Sequence, residues 1–394
     1  VKPITKDIFL KQADQKINKP MRIAINTRML LKNKMEGIGR FTYEITKRIV
    51  EQHPEIEFHF LFDRKFDEDF IFAKNVIPHI IQPPARHPLL WYIWFEYAVA
   101  QKLKTIKADY FLSADGYLSL SSPTPSHLTI HDLAFIHFPD AIPFLVNKYY
   151  HHFVPKYAAH AKQIATVSEF SKQDIITQYH IENKKIDVVH NAASSYFKPI
   201  SSDEKQIIKN EVAAGNDFFI CVSSIHPRKN IINLLKAFDE FKKDDQQNIQ
   251  LILVGDFMFG KNDVMIALEN LSCKNSIILT GNLSHEKIGR IQSAALATLY
   301  VSLFEGFGIP IVESMQSGVP IITSNISSMP EVAANAALLV NPTDIYRISN
   351  SMKMISKDEK LRTYLIQKGL IRCQDFNWDL SAKKYWFSVE KMFR

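Results

Sequence analysis

Short apolar runs punctuate the chain, and amphipathic segments separate many of them. In the first half the runs are RIAIN (22–26), EFHFLF (57–62), VIPHII (76–81), DYFLS (109–113), HLTIH (127–131), QIATVS (163–168) and IDVVH (186–190). Between the first two, the stretch Arg40 to Val50 sets Phe41, Ile45 and Ile49 on one face, the period of a helix. A second amphipathic segment covers Leu89 to Leu103. Near Ala192 to Ser202 the pattern breaks into ASSYFKPISS, which reads as a connection between domains. Alternation then restarts with FFICVSS (218–224), IQLILVG (249–255), SIILTG (276–281), ALATLYVS (295–302), VPIITS (319–324) and ALLV (337–340). Strands alternating with helices predict an open parallel sheet covered by helices, here twice over: two doubly wound α/β domains. In such sheets ligands bind beyond the carboxyl ends of the strands, so the loops after these runs are where chemistry should lie.

Composition sharpens this picture in three ways. A length of 394 residues suits two domains, or three small ones, and 46% apolar content can fill real cores. The opening VKPITKDIFLKQADQKINKP holds no continuous apolar run, and the uncharged apolar run near Ala294 to Phe304 is far short of a membrane span. Cys221, Cys273 and Cys373 stand far apart without metal-ligand spacing and read as reduced thiols. The expectation is a soluble, cytoplasmic protein. A net charge of +7 favours anionic partners such as nucleotides, phosphates or acidic lipid surfaces, or else marks a lysine-rich surface. No nucleic-acid motif accompanies the charge. Glycine is scarce, 12 in 394, so its positions carry information.

Four stretches hold candidate chemistry. In MRIAINTRMLLKNKMEGIGRFTYEI (21–45) a strand leads through Gly37 and Gly39 into a helix, where close backbone approach and a helix N-terminus suit an anion. In FFICVSSIHPRKNIINLLKAFDEF (218–241) Arg228 and Lys229 stand at a strand's carboxyl end before a helix for which Asn230 is a candidate N-cap. Two cations there suit a diphosphate, or form a solvated basic turn. In FEGFGIPIVESMQSGVPIITS (304–324), Glu305 lies in a loop and Glu313 one turn into a helix opened by Pro310 and ended by Gly318. Both can accept hydrogen bonds from sugar or ribose hydroxyls; the plainer alternatives are dipole complementarity for Glu313 and a surface charge for Glu305. In HLTIHDLAF (127–135), His131 and Asp132 end a strand, as ligand contacts or as satisfied structural residues. Asp67–Glu68–Asp69 has the D-x-D form that holds a divalent cation in some sugar transferases, but within DRKFDEDF a solvated face is the expected reading.

Together, GIGR (37–40), HD (131–132), VSEFSKQDI (167–175), HPRKN (226–230), LVG (253–255), TG (280–281), EGFGIPIVE (305–313) and MPEV (329–332) resemble the retaining family 4 glycosyltransferases, the glycosyl transferases group 1, of GT-B fold. The match runs in order from about Met21 to the end, and the glutamate pair after an RKN loop is its most specific part. The resemblance implies an N-terminal extension (1–20), a Rossmann-like acceptor domain (21–195), a Rossmann-like donor domain (196–376) and a terminal helix (377–394) crossing back onto the first domain. It implies a nucleotide-diphosphate sugar as co-substrate, with no metal and no other cofactor, and a glycan or lipid-linked glycan as acceptor. On that pattern Glu313 binds the ribose hydroxyls and Glu305 contacts the transferred sugar, which the backbone at Gly306, Phe307 and Gly308 also approaches. Arg228 and Lys229 match the pair that holds the diphosphate, and His131 a residue near the sugar ring. The Gly37–Gly39 loop lies across the cleft from the phosphates.

The sequence departs from that family at three places: Ser223 and Ala192 stand where glycine is usual, and Ala334–Asn335 replaces Gly-Asp. The expected activity is metal-independent hexosyl transfer with retention by front-face attack, from GDP-mannose or a UDP-hexose, with Arg228, Lys229 and helix amides stabilising the leaving diphosphate. Two other readings fit the same residues: a nucleotide-sugar epimerase of GT-B architecture, and a non-catalytic sugar-nucleotide-binding protein. The aromatic run HPLLWYIWFEYAVAQKLK (87–104) is either a core-packing helix or a contact with a membrane surface bearing the acceptor.

Overall fold

The computed structural model describes residues 20–32, 35, 37–224, 226–256 and 261–393. Residues 1–19 of the expected N-terminal extension lie outside the described residues. Seven parallel strands form the first sheet: β1 (Arg22–Asn26), β2 (Glu57–Phe62), β3 (Val76–Ile80), β4 (Tyr110–Ser113), β5 (Ser126–Thr129), β6 (Gln163–Thr166) and β7 (Ile186–Val188). Their order is β3-β2-β1-β4-β5-β6-β7. The second sheet has six parallel strands: β8 (Phe218–Val222), β9 (Gln250–Val254), β10 (Ile277–Gly281), β11 (Ala297–Tyr300), β12 (Ile321–Ser324) and β13 (Leu338–Val340). Its order, β10-β9-β8-β11-β12-β13, repeats the first. Each sheet therefore reverses its winding once, between β1 and β4 and between β8 and β11, and those reversals are where doubly wound sheets open a ligand crevice.

The local causes are those of buried parallel sheets. Strands covered on both faces need apolar side chains at nearly every position, so β1, β8 and β9 are almost wholly buried. The helix Gly37–Gln52 buries Phe41, Ile45 and Ile49, the face its spacing predicts. Asn230 does not cap the helix Ile231–Lys242 as expected. Its φ of 60° turns the side chain away from the helix amides, and Nδ2 instead donates to the carbonyls of Val301 (2.9 Å) and Pro342 (2.6 Å). That pins the basic loop to the end of β11.

Residues 88–106 form one helical rod whose middle, Trp94–Val99, is π-helical. Trp94, Phe95, Val99 and Leu103 are core, and buried Glu96 accepts the N–H groups of Leu120 and Ser121 at 2.9 Å each. The opposite face leaves Leu89 and Tyr97 exposed. No helix among the described residues is long and apolar enough to cross a membrane. Asp67 and Asp69 both pair with Lys32 at 2.9 Å on the surface.

The two sheets are held face to face by particular contacts. Ser168 and Ser171 donate to the carbonyl of Gly306 (2.6 and 3.1 Å), and the Glu331 carboxylate accepts the N–H groups of Glu169 and Phe170 (2.9 and 3.0 Å). Glu331 thus caps the helix Glu169–Tyr179 of the other sheet. After the second sheet, the helix Trp378–Glu390 lies on the first: Trp386 stacks on His53 at 3.9 Å, Asp379 pairs with Arg48 at 2.6 Å, and Trp378 and Tyr385 meet Phe41.

Candidate active site

The loops that follow β8 and β11 meet at the second sheet's winding reversal. After β8, Ser223 donates its N–H to the Val254 carbonyl, and its own carbonyl lies against Gly255, where a Cβ would come within 2.0 Å. Gly255 is therefore required by packing. A short turn, Pro227–Lys229, then carries the two cations. Arg228 Nη1 donates to Glu305 Oε2 at 2.7 Å and to the Phe304 carbonyl at 3.1 Å. Lys229 Nζ donates to Glu305 Oε1 at 2.6 Å and to the Tyr300 hydroxyl at 2.9 Å.

The sequence gives these cations to a diphosphate; in the structure they grip Glu305, which is a buried side chain and not a loop surface charge. Burial alone would raise the Glu305 carboxyl, but Arg228 and Lys229 outweigh it and hold it down at about 2. Burial pulls the Lys229 amine below its ordinary value, with Glu305 opposing. Burial would likewise lower Arg228, yet Glu305 and then Asp132 of the first sheet's domain raise it. Two cations against one carboxylate leave the cluster with a net positive charge, the sign that receives an anionic group.

The backbone beyond Glu305 is fixed by serines. Ser327 Oγ accepts the Glu305 N–H at 2.9 Å, and Ser328 Oγ donates to the carbonyls of Glu305 and Phe307 (2.9 and 3.0 Å). Gly308, at φ 95°, opens the helix Ile309–Gln316, with Pro310 in its first turn. Gly306 is where the domains touch: a Cβ there would come within 2.5 Å of the His131 carbonyl and 2.8 Å of Asp132 Cβ. The Phe307 ring faces away, toward His190 and Phe376.

Glu313 differs from Glu305 in every respect but burial. It is the fifth residue of the helix, is 6% exposed, and its carboxylate has no hydrogen-bond partner among the described residues. Desolvation raises it to about 8, opposed only by the charge of Arg40. A buried acid without a partner is costly, and pairs of hydroxyl donors are what would satisfy it.

On the facing side, His131 Nε2 donates to the Ala114 carbonyl at 2.8 Å, and the edge of Phe41 meets its ring at 5.0 Å. Because a carbonyl only accepts, this bond fixes the tautomer and leaves Nδ1 as an acceptor; burial lowers the ring's pKa and keeps it neutral. The two glycines of GIGR do different work. A Cβ on Gly39 would stand 2.8 Å from the Met29 carbonyl, so its close approach is to its own domain and not to a ligand. A Cβ on Gly37 would meet Ile309 Cδ1 at 4.0 Å, across the cleft. Sequence reasoning missed Tyr300, Ser327 and Ser328, whose partners lie in other segments, and gave Arg40 no role. The signal for Arg40 was its place in the first turn of a helix pointed at the cleft.

Two family models match this chain: Glycosyltransferase Family 4 over residues 35–194, and Glycosyl transferases group 1 over residues 202–371. The chain belongs to the family 4 glycosyltransferases. Among curated relatives, O-antigen chain mannosyltransferase B of Escherichia coli is 26% identical over 89% of this chain and 94% of its own length. O-antigen chain mannosyltransferase RfbU of Salmonella typhimurium is 27% identical over 73% of this chain and 77% of its own. A solved glycosyltransferase from Rickettsia africae has the same architecture, with TM-score 0.72 at 17% identity over 95% of this chain and 99% of that one. Anabaena Alr3699/HepE in complex with UDP-glucose gives TM-score 0.71 at 18% identity over 94% and 100%. The fold of this glycosyltransferase is thus GT-B, two Rossmann-like sheets facing across a cleft.

Proposed function

We propose that this glycosyltransferase moves a hexose, with mannose favoured by the curated relatives, from a nucleotide-diphosphate sugar to a glycan or lipid-linked glycan with retention and without a metal. The observation that carries this is the pairing of a buried carboxylate, without a hydrogen-bond partner among the described residues, with a net-positive cluster built on Glu305, eight residues earlier in the chain. Glu313 accepts the two ribose hydroxyls. The diphosphate approaches Arg228 and Lys229 at the N-terminus of the helix Ile309–Gln316, whose dipole adds to their charge.

As the bond from anomeric carbon to phosphate oxygen breaks, its electron pair goes to the leaving diphosphate, and these cations stabilise the charge. The acceptor hydroxyl attacks from the same face and its proton passes to the departing phosphate oxygen. Both Glu305 oxygens are held by cations at 2.6–2.7 Å, which supports an orienting and charge-balancing role over that of a free nucleophile. His131, neutral with Nδ1 free to accept, suits a sugar hydroxyl.

For a lipid-linked acceptor, Leu89 and Tyr97 are exposed on one helix, and Phe144 and Leu145 on another where Lys148 lies over Phe144, in keeping with peripheral attachment to the cytoplasmic face of a membrane. The deciding experiment uses GDP-mannose and UDP-glucose as donors and reads the anomeric configuration of the glycoside by NMR. Glu305→Gln and the double variant Arg228→Ala/Lys229→Ala should each lose at least about a hundredfold in transfer rate. Wild-type rates in these variants, or an inverted product, overturn the assignment.

A further inference from the structure

The helix Gly37–Gln52 packs on the first sheet, yet its first turn faces the second, beside Ile309. Arg40 stands on that turn. Its Nε is buried without a hydrogen-bond partner, and its nearest carboxylate, Glu44 at 3.5 Å, is held more tightly by Arg48 at 2.6 Å. Across the cleft stands Glu313, buried and partnerless, with Arg40 the charge that acts on it.

Among the described residues, the elements packed around the helix Ile309–Gln316 offer Glu313 nothing else. His285, on the helix His285–Ser293, faces Arg40 and the Met35 backbone; Arg290 is on the surface with Glu211. Arg372 is held by the carbonyls of Val332 and Glu331 and by Asp375, and Glu331 by the amides it caps. Lys229, beside Tyr300 at the end of β11, is committed to Glu305. Among the described residues, the donor domain therefore buries an acid and supplies no cation for it.

We propose that Arg40 is a positioning residue for the donor nucleotide, supplying from the opposite domain the cation that Glu313 lacks in its own, so that the ribose carboxylate is complete only while the cleft is closed. The inference rests on the assignment of Glu313 to the ribose. A carboxylate accepts best from two hydroxyls when ionised, burial disfavours that form, and a cation facing it opposes part of that cost. Nucleotide recognition by the second domain is thereby tied to the approach of the first.

The test is calorimetric binding of GDP and UDP, each beside its 2′,3′-dideoxy counterpart, to wild type, Arg40→Gln, Arg40→Lys and Glu313→Gln across about pH 6–9. Arg40→Gln should weaken the nucleotide by about tenfold or more near neutral pH, leave the dideoxy form unchanged, and move the rise of affinity with pH upward. Arg40→Lys, which keeps the charge, should restore both toward wild type. Equal losses for the nucleotide and its dideoxy form would make Arg40 a phosphate ligand and overturn the proposal, as would no loss at all. Failure of the underlying reading looks different: wild type would then not distinguish the two forms, and Glu313→Gln would cost nothing.

Discussion

Glu305 and Glu313 are both buried, yet one is forced to ionise and the other is held neutral. The difference is partners: two cations against none among the described residues of the same domain. For Glu313 the folded value, about 8, lies above its ordinary 4.5, so the native state binds the extra proton between them. Stability is then greatest below the lower value and declines as pH rises through the interval. Glu313→Gln should abolish that decline and make the empty enzyme more stable above pH 8 by roughly 1–3 kcal/mol, while weakening the nucleotide. Urea unfolding across this range checks it, and parallel pH slopes in the two proteins would refute it. A second residue is strained where glycine would not be. Ala334 sits at φ 48°, ψ −124°, at a position the resemblance gives to glycine. Ala334→Gly should stabilise the fold by roughly 1 kcal/mol in the same measurement. The acids, the basic pair and the glycines could be found by composition and spacing. Their mutual pairing could not, because Arg228 and Glu305 are 77 residues apart in the chain.

All thirteen strands lie within the apolar runs of the sequence or begin one residue before them, because strands buried on both faces cannot hide in a mixed pattern. What periodicity does not reveal is how one element finishes another. The helix Glu169–Tyr179 takes its second acceptor from Glu331, 162 residues away, in addition to its own N-cap, Ser168. Glu331→Ala should cost about 1 kcal/mol and speed hydrogen exchange at the amides of Glu169 and Phe170 before other sites. Unchanged exchange there would remove Glu331 from that role. The rod 88–106 was also only half legible: its aromatic residues signal both burial and exposure, and a π-helical turn decides which face each takes.

The domains touch closely at Gly306. A methyl group there strikes backbone at 2.5 Å, so relief requires the domains to part. Gly306→Ala should therefore widen the molecule in solution scattering and lower sugar transfer by at least about tenfold. An unchanged scattering profile with full activity would show that the contact is not needed for transfer. The doubly wound pattern placed the chemistry beyond the carboxyl ends of the strands in advance of any motif, while the reversal of strand order that marks each crevice is seen only in the fold.

The chain crosses between the two sheets twice, once after β7 and once more to lay Trp378–Glu390 on the first domain. A body joined at one strand of chain can swing and twist freely; one joined at two is a door on two pins. Rotation about the line through both would part Arg40 from Glu313 as the cleft opens and return the two to the same register as it shuts.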